Sequence, residues 1–199
     1  MMITFYLEGK KQFRLDGDVL FTHFGLSGPL ILNGAHKVAD LLQSGSVTAV
    51  IDAYPLMDLG TLELKIIGIF DENKNKTLKN IIKDIVPEGM QKGVSLLVAE
   101  VIDIDIKVHS VTKKDRKYLV QLLKSMPVSI DGLMGFDRAV VADGGLELND
   151  IDMRTMRSKI IQNLMVTGDL LHINRPSGGY SLQLCWSSGY VAGSHAGYT

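Results

Sequence analysis

The sequence predicts an α+β protein in which strand-rich stretches flank a small helical bundle. Two observations carry this. In residues 1–55, and again from Pro127, apolar residues alternate with polar ones, the period of a half-buried strand. In residues 56–126 they recur at i, i+3, i+4 and i+7, the period of a helix face turned to a core. With 199 residues, 46% of them hydrophobic, the chain can bury one ordinary core or two small domains that share one.

The elements follow in order. Ile3, Phe5 and Leu7 alternate, as do Phe13 and Leu15, with Glu8-Gly9-Lys10-Lys11 as a hairpin turn between them. Val19–Phe24 is a further apolar run closed by Gly25. Ser27-Gly28-Pro29 opens a helix to about Gln43, with Ser27 able to cap and Pro29 tolerated in the first turn. Val47, Ala49 and Ile51 alternate as a strand that ends near Pro55. Three helical stripes follow: Leu59, Leu62, Ile66 and Ile69; Leu78, Ile81, Ile82 and Ile85; Leu119, Leu122, Leu123 and Met126. Leu96–Val101 is open between helix and strand. After Pro127, Val128 and Ile130 alternate again. Ala139-Val140-Val141-Ala142 and Leu164-Met165-Val166 read as short strands, ending in Asp143-Gly144-Gly145 and Thr167-Gly168-Asp169. The last element, from Gly179 to about Ala196, reads as a helix.

Composition excludes several functions. Twenty-one basic residues face twenty-two acidic ones, which gives no electrostatic reason to bind nucleic acid or an anionic membrane, so neither is expected as a partner. No apolar run reaches the ~20 residues of a membrane span, and Met1–Lys11 lacks a secretory signal pattern. A single cysteine, Cys185, excludes an internal disulfide and a cysteine-based zinc site, and the five histidines show no ligand spacing. The expectation is a cytoplasmic protein with no metal.

The chemistry points to Asn163–Gly193. A glycine at Gly168 lets backbone approach a ligand, and Asp169 at the carboxyl end of a strand lies where open α/β sheets place ligands. Its carboxylate accepts hydrogen bonds from sugar-like hydroxyls. Gly178-Gly179 before the last helix leave N–H groups that, with the helix dipole, favour negative charge on a ligand. Strand-Gly-Asp and Gly-Gly are each common as plain turns; their pairing around one strand-to-helix connection singles them out. Cys185, Ser188, Gly189, Ala192, Gly193 and Ala196 form a small-residue stripe on that helix, while Trp186 and Tyr190 read as packing groups. His23, beside Phe24, reads as structural, and no nucleophile–base pair stands out, so catalytic residues stay unassigned.

Several motifs in order then resemble the BaiN-like (YhiN-like) flavoproteins, the aminoacetone oxidase-like FAD-binding group. They are Gly17-Asp18-Val19-Leu20-Phe21-Thr22-His23-Phe24-Gly25-Leu26-Ser27-Gly28-Pro29, Asp143-Gly144-Gly145, Thr155-Met156-Arg157-Ser158-Lys159, Gly168-Asp169, Gly178-Gly179-Tyr180 and Trp186-Ser187-Ser188-Gly189-Tyr190-Val191-Ala192-Gly193. The resemblance spans nearly the whole chain. It implies that residues 1–135 are an inserted domain, β-barrel-like over 1–55 and 127–135 and carrying the bundle over 56–126. Residues 136–199 would supply the C-terminal strands and last helix of a Rossmann-like FAD domain. It implies further that Asp169 bonds the ribityl part of FAD, and that Gly168, Gly178, Gly179 and Tyr180 complete the flavin site.

The chain departs from that pattern at Arg157, where a glutamate is usual, at His172, where an acid is common, and at Leu184, where a tryptophan is frequent. All three are expected near the flavin. It also lacks the G-x-G-x-x-G turn that cradles the FAD pyrophosphate. The leading expectation is the C-terminal part of an FAD-dependent oxidoreductase, moving hydride through flavin from a nicotinamide donor. It would hold FAD weakly alone and pair with an N-terminal nucleotide-binding half or with itself. Two rivals from other classes stand beside it: an inactive remnant or assembly module without flavin, and a small-molecule-binding domain without redox chemistry.

Overall fold

The computed structural model describes residues 1–139 and 144–197. They form an α+β structure in two compact units, Met1–Ile31 with Lys37–Gly132, and Leu32–His36 with Leu133 onward.

In the first unit, β1 (Met2–Leu7) and β2 (Lys10–Asp16) form the expected hairpin, with a turn of only Glu8 and Gly9. Both have positive φ, 48° and 75°, the type I′ geometry whose twist suits a two-residue hairpin. Lys10 and Lys11, expected in the turn, already pair in β2. The run around Val19–Phe24 is not one strand but a second hairpin, β3 (Leu20–Thr22) and β4 (Gly25–Ser27), turning at His23-Phe24. Helix α1 (Pro29–Ser44) begins as expected, but Ser27 does not cap it: Ser27 pairs with Leu20, and Gly28 is the N-cap without a side-chain bond. β5 (Val47–Asp52) and β6 (Met126–Ile130) complete an antiparallel sheet of order β2-β1-β5-β6. Ile3 and Phe5 face Ile51 and Ala49 across β1 and β5, all buried. One face of the sheet thus supplies half of the core, as the alternation predicts.

The other half is the bundle: α2 (Leu59–Glu72), α3 (Leu78–Ile85), α4 (Gln91–Ala99) and α5 (Lys113–Lys124). Asp58 caps α2 by accepting from the Thr61 N–H at 2.7 Å, and Thr112 with Asp115 forms a capping box on α5. All four apolar residues of the α3 stripe are buried. The α2 stripe is rotated from the expected one: Leu62, Ile66 and Phe70 are buried, while Leu59 is 52% exposed. Leu96 lies in a helix, and the α5 stripe ends at Leu123 because Met126 starts β6.

Sheet and bundle are joined where β5 ends. Lys124 Nζ lies 2.6 Å from Asp52 Oδ2 and donates to the carbonyls of Tyr54 at 2.9 Å and Met57 at 2.7 Å. The Tyr54 hydroxyl donates to the Ile85 carbonyl at 2.5 Å, and burial raises its pKa. The ammonium's three protons therefore meet three acceptors.

The second unit is sparser. It holds β7 (Ile151–Asp152) paired with β8 (Arg157–Ser158), short 3-10 turns, and α6 (Tyr180–His195). Its core is Ile151, Met156, Val166, Leu171 and Ala192. The expected strand Leu164-Met165-Val166 is not formed: Met165 makes one isolated bridge to Arg157, and Gly168–Leu170 is a 3-10 turn. Two backbone bonds link the segments, Val166 N–H to the Met156 carbonyl at 2.9 Å and Ser158 N–H to the Leu164 carbonyl at 2.8 Å, and Met156, at φ 61°, is not extended, so pairing goes no further on that side. Pairing in parallel is limited, among the described residues, to the single bridge Leu146–Leu171. The strand expected over Ala139–Ala142 falls at Val140–Ala142 outside the described residues, as does Asp143 of the turn after it. No helix among the described residues is long and apolar enough to cross a membrane.

Two outcomes follow. Lys124→Ala leaves the nearly buried Asp52 carboxylate unpaired and is expected to cost about 3 kcal/mol in urea unfolding; a loss under 1 kcal/mol would remove this pair from the stability of the unit. Asp58 and Asp152 both have pKa values lowered, chiefly by backbone N–H groups of Thr61 and Arg154 that favour the carboxylate. A carboxylate more acidic in the folded state stabilises above its unfolded pKa, and that contribution is lost as pH falls through the lowered folded value. NMR titration should place both midpoints below the ordinary aspartate value.

Candidate functional site

The site is built in the second unit around α6. Its N-cap, Gly179, is left-handed at φ 93°, and Gly178 also has positive φ, at 106°. A Cβ at either would meet no heavy atom within 4 Å, so both glycines border open space. Ahead of them the Ser177 N–H donates to Asn33 Oδ1 at 2.6 Å, within the same unit. The first-turn N–H groups of α6 have no intrahelical acceptor and point out of its end. Tyr180 is exposed.

The 3-10 turn Gly168–Leu170 packs on the middle of α6. Gly168 adopts φ 63°, and a Cβ there would stand 2.7 Å from Cys185 Sγ, so only glycine fits. Its N–H donates to the buried Ser188 Oγ at 2.9 Å, and Ser188 donates to the Leu184 carbonyl at 2.5 Å. The small-residue stripe is thus divided: Ser188 and Ala192 pack inward, while Gly189, Gly193 and Ala196 face outward.

Asp169 is joined to the first turn of α6 by Arg175, a residue sequence reasoning missed. Arg175 Nη2 donates to Asp169 Oδ1 at 2.5 Å, Nε donates to Ser181 Oγ at 3.0 Å, and Nη1 donates to the Ile173 carbonyl. Its side chain is only 7% exposed, whereas that of Asp169 is mostly exposed. The guanidinium fork holds one carboxylate oxygen and leaves the other to solvent. Asp169 and Arg175 are six apart in an irregular segment, a spacing that carries no periodic signal. Gly168, Asp169 and the α6 entry are therefore brought to one end of the unit, with Asp169 on a 3-10 turn rather than at a strand end.

The three departures separate. Arg157 does not lie beside the α6 entry: its Nη2 donates to the His195 carbonyl at 3.0 Å, at the far end of a helix about 22 Å long. There a cation complements the negative end of the dipole. His172 Nδ1 lies 3.3 Å from Glu147 Oε1, a half-exposed contact. Leu184 is half-buried and its carbonyl accepts from Ser188. Trp186 and Tyr190, expected to pack, are 66% and 78% exposed because α6 turns its small residues inward. His23 meets Phe24 edge-on at 4.7 Å in the exposed turn of the second hairpin. Among the described residues no cluster of His, Cys, Asp and Glu could hold a metal.

Residues 2–141 match the model of the HI0933-like protein barrel and H2TH domain. The chain belongs to the HI0933-like family. This family is part of the FAD-dependent oxidoreductase superfamily. Three curated relatives are similar over most of this HI0933-like chain. One is a ribosomal RNA dihydrouridine synthase of Escherichia coli, 28% identical over 176 residues, 87% of the chain and 41% of the relative. Another, with the same name in Haemophilus influenzae, is 28% identical over 173 residues, 87% of the chain and 40% of the relative. The third is a 3-dehydro-bile acid delta(4,6)-reductase of Clostridium scindens, 25% identical over 181 residues, 90% of the chain and 44% of the relative. The chain thus spans about two-fifths of the length of the curated relatives it matches.

Ser188→Ala removes the acceptor of a buried N–H and is expected to cost about 1–3 kcal/mol. Chemical unfolding of wild type and variant measures it. A neutral effect would show that the Gly168 turn is not anchored through this bond.

Proposed function

We propose that this HI0933-like chain forms the flavin-facing part of an FAD-dependent reductase, of the BaiN-like group its motifs resemble. Its residues Asp169, Gly178, Gly179 and Tyr180 would hold the flavin end of the cofactor, and Gly168, packed on Cys185, would seat the turn that carries Asp169. One observation carries the reading: an open glycine entry to α6, with a carboxylate fixed beside its first turn by Arg175. The donor set fits the group. Glycines without Cβ allow close approach of a flat ring, and the α6 N–H groups and dipole favour negative charge on the reduced flavin. The free oxygen of Asp169 suits a ribityl hydroxyl, and Arg175 keeps that carboxylate oriented. The bound flavin supplies hydride transfer, with a reduced nicotinamide as donor; the protein supplies binding, orientation and electrostatics. The relatives' names, a dihydrouridine synthase and a delta(4,6)-reductase, both describe adding hydrogen across a carbon–carbon double bond, so an activated alkene is the substrate class we assign.

A second reading has its own observation. Leu182, Trp186 and Tyr190 stand at i, i+4 and i+8 on an exposed face of α6, in a unit whose buried hydrophobic core, among the described residues, is five residues. Such a surface favours a partner, either a nucleotide-binding half or a second copy, and an assembly role without flavin.

Flavin absorbance and fluorescence, measured with particle size during FAD titration, decide between them. The chain alone should bind FAD weakly, because nothing in it resembles the G-x-G-x-x-G pyrophosphate cradle. In flavin-loaded protein, Asp169→Ala should weaken FAD binding by roughly tenfold with little change in unfolding midpoint. Equal flavin affinity in variant and wild type would remove Asp169 from the site.

A further inference from the structure

Both ends of α6 meet an arginine, and the helix dipole favours only one of them. At the C-terminal end Arg157 donates to the His195 carbonyl, where a cation is stabilising. At the N-terminal end Arg175 donates from Nε to the hydroxyl of Ser181, the second residue of the helix, at 3.0 Å. There the positive end of the dipole repels a cation. The first turn of α6 holds no acidic residue to offset the repulsion. The guanidinium is also largely stripped of water, with 7% of its side chain exposed, and desolvation of a charge is costly. Its carboxylate partner, Asp169, is 57% exposed. The pair is therefore lopsided. Water screens the Asp169 carboxylate, while the Arg175 charge acts through protein, so the entry of α6 keeps a positive potential in spite of the pairing. A local arrangement that works against stability is retained where it serves a site.

We propose that Arg175 sets the redox poise of the flavin: its buried charge at the α6 entry favours the reduced, anionic cofactor, and Asp169 moderates that charge. This rests on the flavin reading under Proposed function and adds to it a role for the ion pair beyond orienting a carboxylate. A flavin that takes up two electrons and one proton gains one negative charge. A fixed positive charge beside it therefore strengthens binding of the reduced form over the oxidised form, and that ratio of affinities sets how far the midpoint potential of the bound flavin lies above that of free flavin. The two members of the pair act in opposite directions. Removing the guanidinium leaves a bare carboxylate beside the site and disfavours the reduced form. Removing the carboxylate charge leaves the guanidinium uncompensated and favours it. A purely structural ion pair makes no such distinction, because losing either member loosens the same turn.

The test is anaerobic calorimetric titration of the full chain with oxidised FAD and with dithionite-reduced FAD, each giving its own affinity. Wild type should bind the reduced form more tightly. In Arg175→Gln the preference for reduced FAD should fall by about tenfold, a midpoint potential about 30 mV lower for this two-electron couple. In Asp169→Asn the preference should rise, by about threefold, since the exposed carboxylate is already screened. Arg175→Lys keeps the charge without the fork, so its preference should stay within about threefold of wild type while both affinities drop. Circular dichroism melts of the flavin-free variants report the structural part separately: a role confined to packing moves the melts and both affinities together and leaves the preference unchanged. An unchanged preference in Arg175→Gln, a shift in the same direction in Arg175→Gln and Asp169→Asn, or an Arg175→Lys protein that behaves like Arg175→Gln would overturn the inference while flavin binding stands. A wild-type chain that takes neither form of FAD overturns the flavin reading and this inference with it.

Discussion

The first unit depends on one ammonium. A four-stranded sheet and a helical bundle can share an apolar core, but apolar contact alone does not fix how one sits on the other. Lys124 does so by meeting a carboxylate and two carbonyls at the end of β5, a segment that must leave the sheet and enter the bundle. Those carbonyls belong to a connection without ladder partners, where an unpaired acceptor would be costly. The Ala53 N–H reaches the Leu123 carbonyl at 2.8 Å beside it, so α5 is tied to the same point by backbone as well. Tyr54 extends the node to the end of α3. α3 shows Lys79 and Lys83 to solvent because its other face is locked into this core.

In the second unit the corresponding constraint is close approach rather than charge. Gly168 lies against Cys185, and the N–H it would otherwise bury unpaired goes to Ser188. This sets the 3-10 turn on α6, and the turn then presents Asp169 to Arg175. With the small residues of α6 turned inward at Ser188 and Ala192, its large residues are left outside. The exposed Trp186 and Tyr190 therefore follow from the same packing that positions the candidate site, not from a separate feature.

Periodicity made much of this legible. The alternation of Ile3 and Phe5 and the α3 stripe each act within a few residues, so local order and sequence agree. The errors arose where a side chain's role is settled by distant groups. Leu59 began a good helical stripe yet lies outside the core, because α2 is rotated to bring Phe70 in. Leu164-Met165-Val166 has strand composition, but a strand needs a partner ladder, and this segment finds a single bridge, Arg157 to Met165. Arg157 sits close in sequence to the candidate site and serves the opposite end of α6. Arg175 could not be found at all, since its partners Asp169, Ile173 and Ser181 are joined only by an irregular fold.

By itself the sequence determined the α+β class, the first hairpin, a helical middle with three of its apolar stripes and the glycine entry to the last helix. These rest on backbone preference and apolar period, which act along the chain. Tertiary structure alone decided that Lys124 would carry the junction and that Asp169 would be held by a buried guanidinium. Electrostatic and hydrogen-bond partners are chosen by distance in space, and a one-dimensional pattern holds no record of that distance.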